Sequence, residues 1–502
     1  MWQKEDLQNM VREKMGDYLF VVVSNTQPYV HVHKRNGIQC HRGVGGVVTA
    51  LDPVMQACQG LWVATSNGDA DRQVSGTDGK VRVPPEDPAY TLKRIWLAKE
   101  ELEGYYYGFS NEVLWPLCHM AFKRPVFRPT DWECYKEVNR KFADAVLKEI
   151  GDRKALVWIQ DYQLCMLGKY LKEAAAKQMI TAHFWHIPWP SYEVFRICPQ
   201  KTEILDGLLA NDLLGFHTRY HCNNFFDVID RELESKIDRE RLSVVRASHE
   251  TLVRSYPISV DYEQIVEMVE SPEVKSFQES LVQEYNLKGL KVLGGLDRID
   301  YTKGIPEKLL ALDVLLERHP EWIGKVVFLQ IGVISRLHIQ QYKDLNDEIN
   351  ALVEKINWKY GNNDWKPVIF ARRSFSLTEL LALYAISDVA LVASLHDGMN
   401  LVAKEYITAC PKNKGMLVLS QFTGAARELT DAILINPYDV VEFAEGIYTA
   451  LQLSEEERSK RMAKMRDVVQ TKNIYRWAGK VISDLLKFEF KEDKQDATGA
   501  FV

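Results

Sequence analysis

Short apolar runs alternate along the chain with stretches whose apolar residues recur at helical spacing. The apolar runs occupy residues 17–25, 155–162, 180–188, 212–217, 291–297, 325–332, 367–374, 388–394 and 415–422. Between them lie amphipathic stretches such as 164–177 and 306–322, which their periodicity predicts to be helices. Strands that are apolar on both faces and separated by helices are typical of parallel sheets. The pattern therefore predicts an α/β protein.

The 502 residues are too many for one hydrophobic core, and a new βα series starts after residues 253–264. We therefore predict two Rossmann-like, doubly wound parallel-sheet domains facing a cleft, one over 1–258 and one over 259–475. An amphipathic helix in 476–502 is expected to cross back to the N-terminal domain, with a polar tail after it.

Composition excludes several classes of protein. Hydrophobic residues make up 46% and charged residues 26% of the chain, as in soluble globular proteins. The net charge of −6 argues against a nucleic-acid or anionic-membrane binder, and no apolar run approaches the roughly 20 residues that span a bilayer. The first 20 residues are typical of neither a secretory signal nor a transit peptide. Eight scattered cysteines without a CxxC pair indicate reduced thiols and no zinc cluster, so we expect a cytoplasmic protein.

Polar side chains follow five of the predicted strands directly. They are Asp161, His186, Arg298, Arg336 and Asp397. In open parallel sheets, ligands bind beyond the carboxyl ends of the strands. We therefore expect these side chains to line a binding site, although each one alone is also compatible with turn chemistry.

The segment RIDYTKG, residues 298–304, stands between a predicted strand and a predicted helix. Arg298 can bind a pyrophosphate bidentately and Lys303 can act as a point charge, with donors from the amino end of the helix. The alternative is an exposed basic turn. Gly43, Gly45 and Gly46 precede another helical pattern and would let backbone N–H groups approach a ligand, but they are equally consistent with a simple helix entry.

The segment SLHDGMNLVAKEY, residues 394–406, runs from a buried strand into a helix. Backbone N–H groups of residues 398–401 would face a ligand at the helix start, and Asp397 would accept hydrogen bonds from sugar hydroxyls. Glu405, one turn into the helix, would accept from ribose hydroxyls. The alternative is an Asp-Gly turn and a solvated glutamate. Together with the basic and glycine-rich segments, the motif favours a nucleotide-sugar site.

These motifs resemble those of glycosyltransferase family 20, the retaining trehalose-6-phosphate synthases, which have the GT-B fold. The matching stretches, in family order from about residue 17 to about residue 480, are GVGGVVTAL, YYYGFSNEVLWPLCH, QDYQL, HIPWP, RIDYTKGIPE, ISR, DGMNLVAKEY, LSQFTGAARELT and NPYD. The resemblance implies transfer of glucose from a nucleotide-glucose, UDP-glucose by default, to glucose 6-phosphate, giving α,α-trehalose 6-phosphate. ADP- and GDP-glucose stay open as donors, and homo-oligomers are common in the family.

The resemblance also implies a role for each matching residue. The implied donor-binding residues are Gly45, Gly46, His186, Arg298, Lys303, Asp397, Gly398, Met399, Asn400, Leu401 and Glu405. The implied acceptor-binding residues are Tyr106, Trp115, Asp161, Tyr162 and Arg336, with Thr26 at a sixth acceptor position. Tyr162 and Arg336 would reach the acceptor phosphate, whereas Tyr106 and Trp115 also fit as core aromatics.

The implied reaction takes place on one face of the sugar, without a metal or cofactor. Asp161, His186, Arg298 and Lys303 are the implied catalytic residues: the two cations would stabilise the leaving diphosphate, and His186 the developing positive charge. No DxD motif stands where a metal-dependent transferase needs one.

Two segments depart from the family pattern, both on the acceptor side. Thr26 in SNTQPY stands where the family usually has an arginine, and Gln160 and Gln163 replace two histidines. Arg42, Lys34 or a nearby histidine would have to supply the missing cation. The departures leave three hypotheses open: an ordinary synthase, a transferase with a different acceptor such as another sugar, polyol or cyclitol, phosphorylated or not, and a non-catalytic sugar-nucleotide-binding regulatory subunit.

Overall fold

The computed structural model describes residues 2–43, 45–334, 336, 339–411 and 414–490. The described chain forms two compact units. Residues 2–257 and 475–490 form what we call the N-terminal unit, and residues 258–474 form the C-terminal unit. The predicted polar tail, 491–502, lies outside the described residues.

The N-terminal unit is built on a sheet with a parallel centre and antiparallel edges. Its strands, together with those of a separate hairpin, are β1 (Leu19–Thr26), β2 (Tyr29–Lys34), β3 (Gly37–Arg42), β4 (Leu61–Thr65), β5 (Lys80–Val83), β6 (Tyr90–Ile95), β7 (Ala155–Gln160), β8 (Met179–Phe184), β9 (Leu213–Phe216), β10 (Lys236–Asp238), β11 (Ser243–Arg246) and β12 (His249–Ser255). The strand order is β10-β11-β12-β9-β8-β7-β1-β4-β6-β5, while β2 and β3 pair only with each other. The central strands are buried along their whole length, as in a sheet covered on both faces.

Helices cover this sheet, and one of the helical segments is unusual. The helices are α1 (Lys4–Met15), α2 (Gly46–Cys58), α3 (Asp71–Val74), α4 (Lys99–Glu101), α5 (Trp115–His119), α6 (Pro129–Ile150), α7 (Leu167–Ala175), α8 (Tyr192–Phe195), α9 (Lys201–Leu208) and α10 (Arg219–Glu232). A π-helix, Leu102–Leu114, joins α4 to α5, and a 3₁₀ turn, Tyr162–Leu164, follows β7. Long π-helical stretches are rare and are often found at functional sites.

The C-terminal unit contains an all-parallel sheet in the order β15-β14-β13-β16-β17-β18. Its strands are β13 (Lys291–Arg298), β14 (Val326–Val333), β15 (Val368–Ala371), β16 (Val389–Val392), β17 (Met416–Ser420) and β18 (Ile433–Ile435). Its helices are α11 (Tyr262–Val269), α12 (Pro272–Glu284), α13 (Ile305–Arg318), α14 (Gln340–Tyr360), α15 (Leu377–Ile386), α16 (Leu401–Ala409), α17 (Val440–Gln452) and α18 (Glu455–Thr471), with 3₁₀ turns at Pro320–Trp322 and Gly424–Arg427.

A last helix, α19 (Ile474–Leu485), packs into the N-terminal unit. The Trp477 ring lies 4.8 Å from that of Trp158 on β7, and its indole N–H donates to the Tyr256 carbonyl at 3.1 Å. The Tyr256 hydroxyl in turn donates to Asp484 at 2.6 Å. These contacts anchor the helix to the strands that end at the candidate site.

A strand overlaps each of the nine apolar runs singled out in the sequence. The runs did not reveal the β2–β3 hairpin or the strands β4, β5, β6, β10, β11, β12 and β18. Most of these strands are short or partly exposed and lack a continuous apolar signal, whereas β4 is buried along its whole length and was missed although residues 61–64 are apolar. Within the described residues, no helix combines the length and hydropathy that crossing a membrane requires. All eight cysteines are free thiols.

Candidate active site

In the C-terminal unit, the loop between β16 and α16 is held by the side chain of Asn400. Asn400 adopts a left-handed backbone conformation with φ +79°, and its Oδ1 accepts the Ala403 N–H at 3.2 Å, which caps α16. Its Nδ2 donates to Asp397 Oδ2 and Ser394 Oγ, each at 3.2 Å. One amide therefore both starts the helix and fixes the carboxylate before it.

Asp397 also forms an ion pair with Lys303, whose Nζ lies 2.6 Å from its Oδ2. The two loops that carry them are joined by the backbone, because the Leu395 N–H donates to the Thr302 carbonyl at 2.8 Å. Gly304 has φ +64°, and a Cβ there would lie 2.1 Å from the Ala393 carbonyl oxygen. Only glycine fits at such a position. The sequence-predicted residues Lys303 and Asp397 are thus brought together at the carboxyl ends of β13 and β16.

The segment after β17 makes backbone contacts with the loop between β16 and α16. Asp397 forms an isolated parallel β-bridge with Thr423, and the Ala425 N–H donates to the Met399 carbonyl at 2.9 Å. A Cβ on Gly424 would lie 2.0 Å from the Gly398 carbonyl oxygen. Sequence reasoning assigned no role to Gly424, although it stands in the family stretch LSQFTGAARELT.

Glu405 makes a different contact, one turn into α16. Its Oε2 accepts the Tyr384 hydroxyl of α15 at 2.9 Å. Burial raises the pKa of the Glu405 carboxyl, and the Tyr384 hydroxyl partly offsets the increase. Glu405 is therefore a fixed acceptor rather than the solvated helix residue of the alternative interpretation.

Arg298 is the last residue of β13. Two residues later, the buried carboxylate of Asp300 contacts an arginine and a tyrosine. Asp300 Oδ2 lies 3.3 Å from Arg336 Nη1 and 3.1 Å from the Tyr342 hydroxyl, while Arg336 and Tyr342 are 2.6 Å apart. Burial alone would raise the pKa of Asp300, but Arg336, Arg298 and the Thr302 N–H lower it to about 2. Sequence reasoning missed Asp300 and Tyr342, although Asp300 lies inside the RIDYTKG motif.

In the N-terminal unit, Asp161 stands directly after β7 with φ +72°, in the left-handed region. Its N–H donates to the Phe184 carbonyl at 2.7 Å, and its Oδ1 accepts the His186 N–H at 3.1 Å. A strained conformation held by two hydrogen bonds to the neighbouring strand end is typical of functional sites. Asp161 and His186 are thus brought together as predicted for neighbouring parallel strands.

The His186 ring is buried against other aromatic rings. It lies 4.6 Å from the Phe184 ring and 5.3 Å from the His217 ring, and its Nε2 is 2.9 Å from Gln160 Oε1. Burial, followed by the nearby His217 and His183, lowers the pKa of His186 well below its ordinary value. The ring is therefore neutral at physiological pH.

The π-helix brings Tyr106 and Asn111 to the same region as Tyr162. Asn111 Nδ2 donates to the Tyr106 carbonyl at 2.7 Å, so its Oδ1 accepts the Tyr162 hydroxyl at 2.9 Å. The Trp115 ring lies 5.8 Å from that of Tyr162, and both residues are buried. Tyr162, Trp115 and the π-helix thus form an aromatic cluster in this unit, and Asp161 is the charged member of the predicted acceptor set there, whereas Arg336 belongs to the C-terminal unit.

Thr26 ends β1, and the β2–β3 hairpin connects it to the glycine turn. The turn is tight at its base, where the Gly43 N–H donates to the Pro28 carbonyl at 2.7 Å. Gly45 has φ +153° and caps α2, which begins at Gly46. Both of these glycines are exposed, consistent with a close approach of a ligand to the backbone.

Arg42, one of the residues predicted to replace the missing cation, is already paired. Its Nη2 lies 2.8 Å from Asp52 Oδ2, and Asp52 is fully buried. Asp52 also accepts the hydroxyls of Tyr29 and Tyr90, at 2.9 Å and 2.6 Å. Moving Arg42 to a ligand would leave a buried carboxylate without its charge partner, which is costly. The structure therefore argues against Arg42 as the substitute, while Lys34 is exposed on the hairpin.

A second arginine near Thr26, Arg94, is also bound to a buried carboxylate. Arg94 Nη2 lies 3.0 Å from Asp71 Oδ1, and both side chains are fully buried. Arg94 also donates to Gln27 Oε1 at 2.8 Å and to the Tyr29 carbonyl at 3.1 Å. This network fixes the chain directly after Thr26 without offering a free charge. Elsewhere in the described ranges, no group of three or more His, Cys, Asp or Glu side chains is arranged to hold a metal ion.

Comparison with known proteins agrees with this geometry. The family model of glycosyltransferase family 20 matches residues 18–487. An α,α-trehalose-phosphate synthase (UDP-forming) of Pichia angusta is 36% identical over 449 residues, which cover 88% of this chain and 92% of that protein. A second such synthase, from Aspergillus fumigatus, is 34% identical over 477 residues, covering 94% and 98%.

Solved structures give the same result. An E. coli structure bound with UDP-2-fluoro glucose superposes with a TM-score of 0.84 at 33% identity, covering 94% of this chain and all of that one. A Burkholderia xenovorans α,α-trehalose-phosphate synthase (UDP-forming) in complex with glucose-6-phosphate has a TM-score of 0.83 at 29% identity, covering 93% and 99%. The predicted α/β fold of the GT-B type is confirmed, and the chain belongs to glycosyltransferase family 20.

Proposed function

We propose that this protein is a retaining glucosyltransferase that moves glucose from UDP-glucose to glucose 6-phosphate and forms α,α-trehalose 6-phosphate. The observation that carries the proposal is the Lys303–Asp397 pair, 2.6 Å long and held by Asn400. A cation and a hydroxyl acceptor side by side at strand ends match the junction between a diphosphate and a sugar. The curated relatives named as UDP-forming synthases support the same donor and product.

Without substrate, Lys303 and Asp397 neutralise each other. When the donor binds, Lys303 would turn to the diphosphate and Asp397 to the glucose hydroxyls, so both groups exchange one partner for another. Arg298 would share the diphosphate charge, and Glu405 would accept the ribose hydroxyls. The exposed backbone of Gly45 and Gly46 and the loop 398–401 would complete the donor contacts.

In the chemical step, the acceptor hydroxyl oxygen bonds to the anomeric carbon while the bond from that carbon to the diphosphate oxygen breaks. The hydroxyl proton passes to the leaving diphosphate, so no protein base is required. Arg298 and Lys303 stabilise the leaving negative charge. The neutral His186 and the carboxylate of Asp161 favour the positive charge that develops on the sugar. The step needs positioning more than covalent chemistry by the protein.

We further infer that transfer needs neither a metal nor a cofactor, because Arg298 and Lys303 would supply the positive charge that the diphosphate requires. A homo-oligomer remains part of the proposal on the basis of the family resemblance alone.

One observation favours a second candidate, a transferase of the same type with a different acceptor. The predicted acceptor residues of the N-terminal unit include no cation: Thr26, Tyr162 and Trp115 are neutral and Asp161 is a carboxylate. Arg42 and Arg94 are both bound to buried carboxylates. An uncharged sugar, polyol or cyclitol suits such a surface better than a phosphate does.

The test is nucleoside diphosphate release from UDP-, ADP- and GDP-glucose, each with and without glucose 6-phosphate, with the product identified by mass. We expect release from UDP-glucose to rise on addition of glucose 6-phosphate and trehalose 6-phosphate to appear. Donor binding with no response to glucose 6-phosphate would contradict the first candidate and lead to a screen of uncharged acceptors. Binding without turnover for any acceptor would contradict both.

A further inference from the structure

Gln160, the last residue of β7, connects the strand to the His186 ring. It is fully buried, and its Oε1 lies 2.9 Å from His186 Nε2. Its Nε2 donates to the carbonyl oxygen of Trp158 on the same strand at 3.3 Å. In the part of the chain that the structure describes, Gln160 is the only side chain hydrogen-bonded to the His186 ring.

The carbonyl of Trp158 determines which way the Gln160 amide points. A carbonyl oxygen only accepts hydrogen bonds, so the NH₂ end of the amide must face Trp158 and the oxygen must face His186. An amide oxygen also only accepts, so the proton of the neutral His186 ring must reside on Nε2. The lone pair of the ring is then on Nδ1.

We propose that Gln160 is a positioning residue that holds His186 as the Nε2–H tautomer, so that Nδ1 accepts a hydrogen bond from a hydroxyl of the transferred sugar. The inference rests on the proposed function, in which His186 contacts the glucose near its reacting carbon. It adds the direction of that hydrogen bond: the ligand must be the donor. A sugar hydroxyl meets this requirement, whereas a phosphate oxygen does not.

The groups around His186 agree with a neutral ring. The His217 ring after β9 lies 5.3 Å away, and His183 on β8 lowers the pKa of His186 further. The Asp161 carboxylate is engaged by the backbone N–H of His186 rather than by its ring. The amide of Gln160 completes the set with a partner that has no charge, so it does not favour an imidazolium as a carboxylate would.

The decisive variant is Gln160→Glu, which keeps the shape and supplies a carboxylate 2.9 Å from Nε2 in place of the amide oxygen. The carboxylate raises the pKa of His186, and the protonated ring can no longer accept at Nδ1. We expect the acid limb of the kcat profile for UDP release to move up by at least about one pH unit, with about tenfold lower kcat at pH 6. The matched control is Gln163→Glu. Gln163 is also buried and lies three residues after Gln160, and a carboxylate there should leave the position of the acid limb unchanged.

A second measurement does not depend on turnover. Two-bond ¹⁵N–¹H spectra of ¹⁵N-histidine-labelled protein, with His186 assigned by its loss in His186→Gln, should report the Nε2–H tautomer at pH 7. The spectrum of Gln160→Leu should lose that single tautomer. A wild-type Nδ1–H tautomer or imidazolium, or superimposable pH profiles of wild type and Gln160→Glu, would overturn the proposal. If the tautomer is as expected but no glucose is transferred, the proposed function fails while the role of Gln160 in fixing the ring stands.

Discussion

Lys303 in the C-terminal unit and the two arginines near Thr26 in the N-terminal unit are paired with carboxylates of different burial. In the C-terminal unit, Lys303 pairs with Asp397, a partly exposed carboxylate that is itself expected to bind substrate. In the N-terminal unit, Arg42 and Arg94 pair with the buried carboxylates of Asp52 and Asp71. The Lys303–Asp397 pair can be exchanged for contacts with a ligand. The pairs of Arg42 and Arg94 cannot, because their loss would leave a buried carboxylate without a charge partner.

The difference shows that the nature of a cation's partner, rather than the presence of the cation, decides whether it can bind a ligand. If the carboxylate of Asp397 exchanges Lys303 for sugar hydroxyls, it keeps hydrogen-bond donors throughout binding. A carboxylate enclosed by Tyr29 and Tyr90 has no such replacement. The Lys303–Asp397 pair can therefore be exchanged for a ligand, whereas Arg42 and Arg94 are held by the fold.

The largest effect is expected from Arg298→Ala, which removes a charge proposed to stabilise the leaving diphosphate. Removing such a group typically lowers kcat by about 10²–10³-fold. Steady-state UDP release checks the rate, and circular dichroism checks the fold. Arg318→Ala is the matched control, because Arg318 forms only an exposed ion pair with Glu445 in the same unit. Near-normal activity of Arg298→Ala would contradict the donor assignment.

A smaller effect, on stability, is expected from Asp300→Asn. The pKa of Asp300 is lowered from 3.8 to about 2, so its carboxylate stabilises the fold at every pH above the unfolded value, and this stability is lost as the pH falls through 2. The shift corresponds to about 2 kcal/mol of unfolding free energy at neutral pH. Denaturant unfolding at pH 7 and pH 3 should show a less stable variant whose stability falls less steeply with acid. Equal pH dependence in both proteins would contradict the assignment.

The acceptor side is tested by Thr26→Arg. If glucose 6-phosphate is the acceptor, the new guanidinium should lower its KM about tenfold, because a charge-assisted hydrogen bond is worth about 1.5–3 kcal/mol. Thr26→Met has a long side chain without the charge and serves as control. An unchanged or higher KM for glucose 6-phosphate in Thr26→Arg would favour an uncharged acceptor and would sharpen the contrast between the two units.

The smallest effect concerns the pH dependence of donor binding. Burial raises the pKa of Glu405, so on acidification it takes up a proton at a higher pH than an ordinary glutamate. The protonated carboxyl is a poorer acceptor for the ribose hydroxyls that Glu405 is proposed to bind. The KM for UDP-glucose should therefore rise by a few-fold as the pH falls through that pKa. Tyr384→Phe removes the hydroxyl that lowers this pKa and should move the transition further upward. A transition at the same pH in both proteins would show that Glu405 is not the group observed.

Several features could be read directly from the sequence. Strands buried on both faces often leave continuous apolar runs, so most central strands of both sheets were predictable, and Asp161, His186, Arg298 and Asp397 could be placed at strand ends. The β2–β3 hairpin and the partly exposed strands escaped because alternating polar residues carry a weak signal, and the buried strand β4, which is only five residues long, was missed as well. The π-helix could not be foreseen either, since its backbone i to i+5 hydrogen bonds, such as that from the Trp115 N–H to the Ser110 carbonyl, use the same residue types as an α-helix.

The chemical types at the site follow from the amino-acid sequence: the basic RIDYTKG, the acidic DGMNLVAKEY and the neutral Thr26 and Gln160. Their partners could be identified from the folded chain alone. Arg42 meets Asp52 and Arg94 meets Asp71 because packed helices and strands bring distant residues together, whereas local patterns report periodicity and residue type. The physical reason is that a charge's availability depends on the burial and number of its neighbours, which are set by long-range packing.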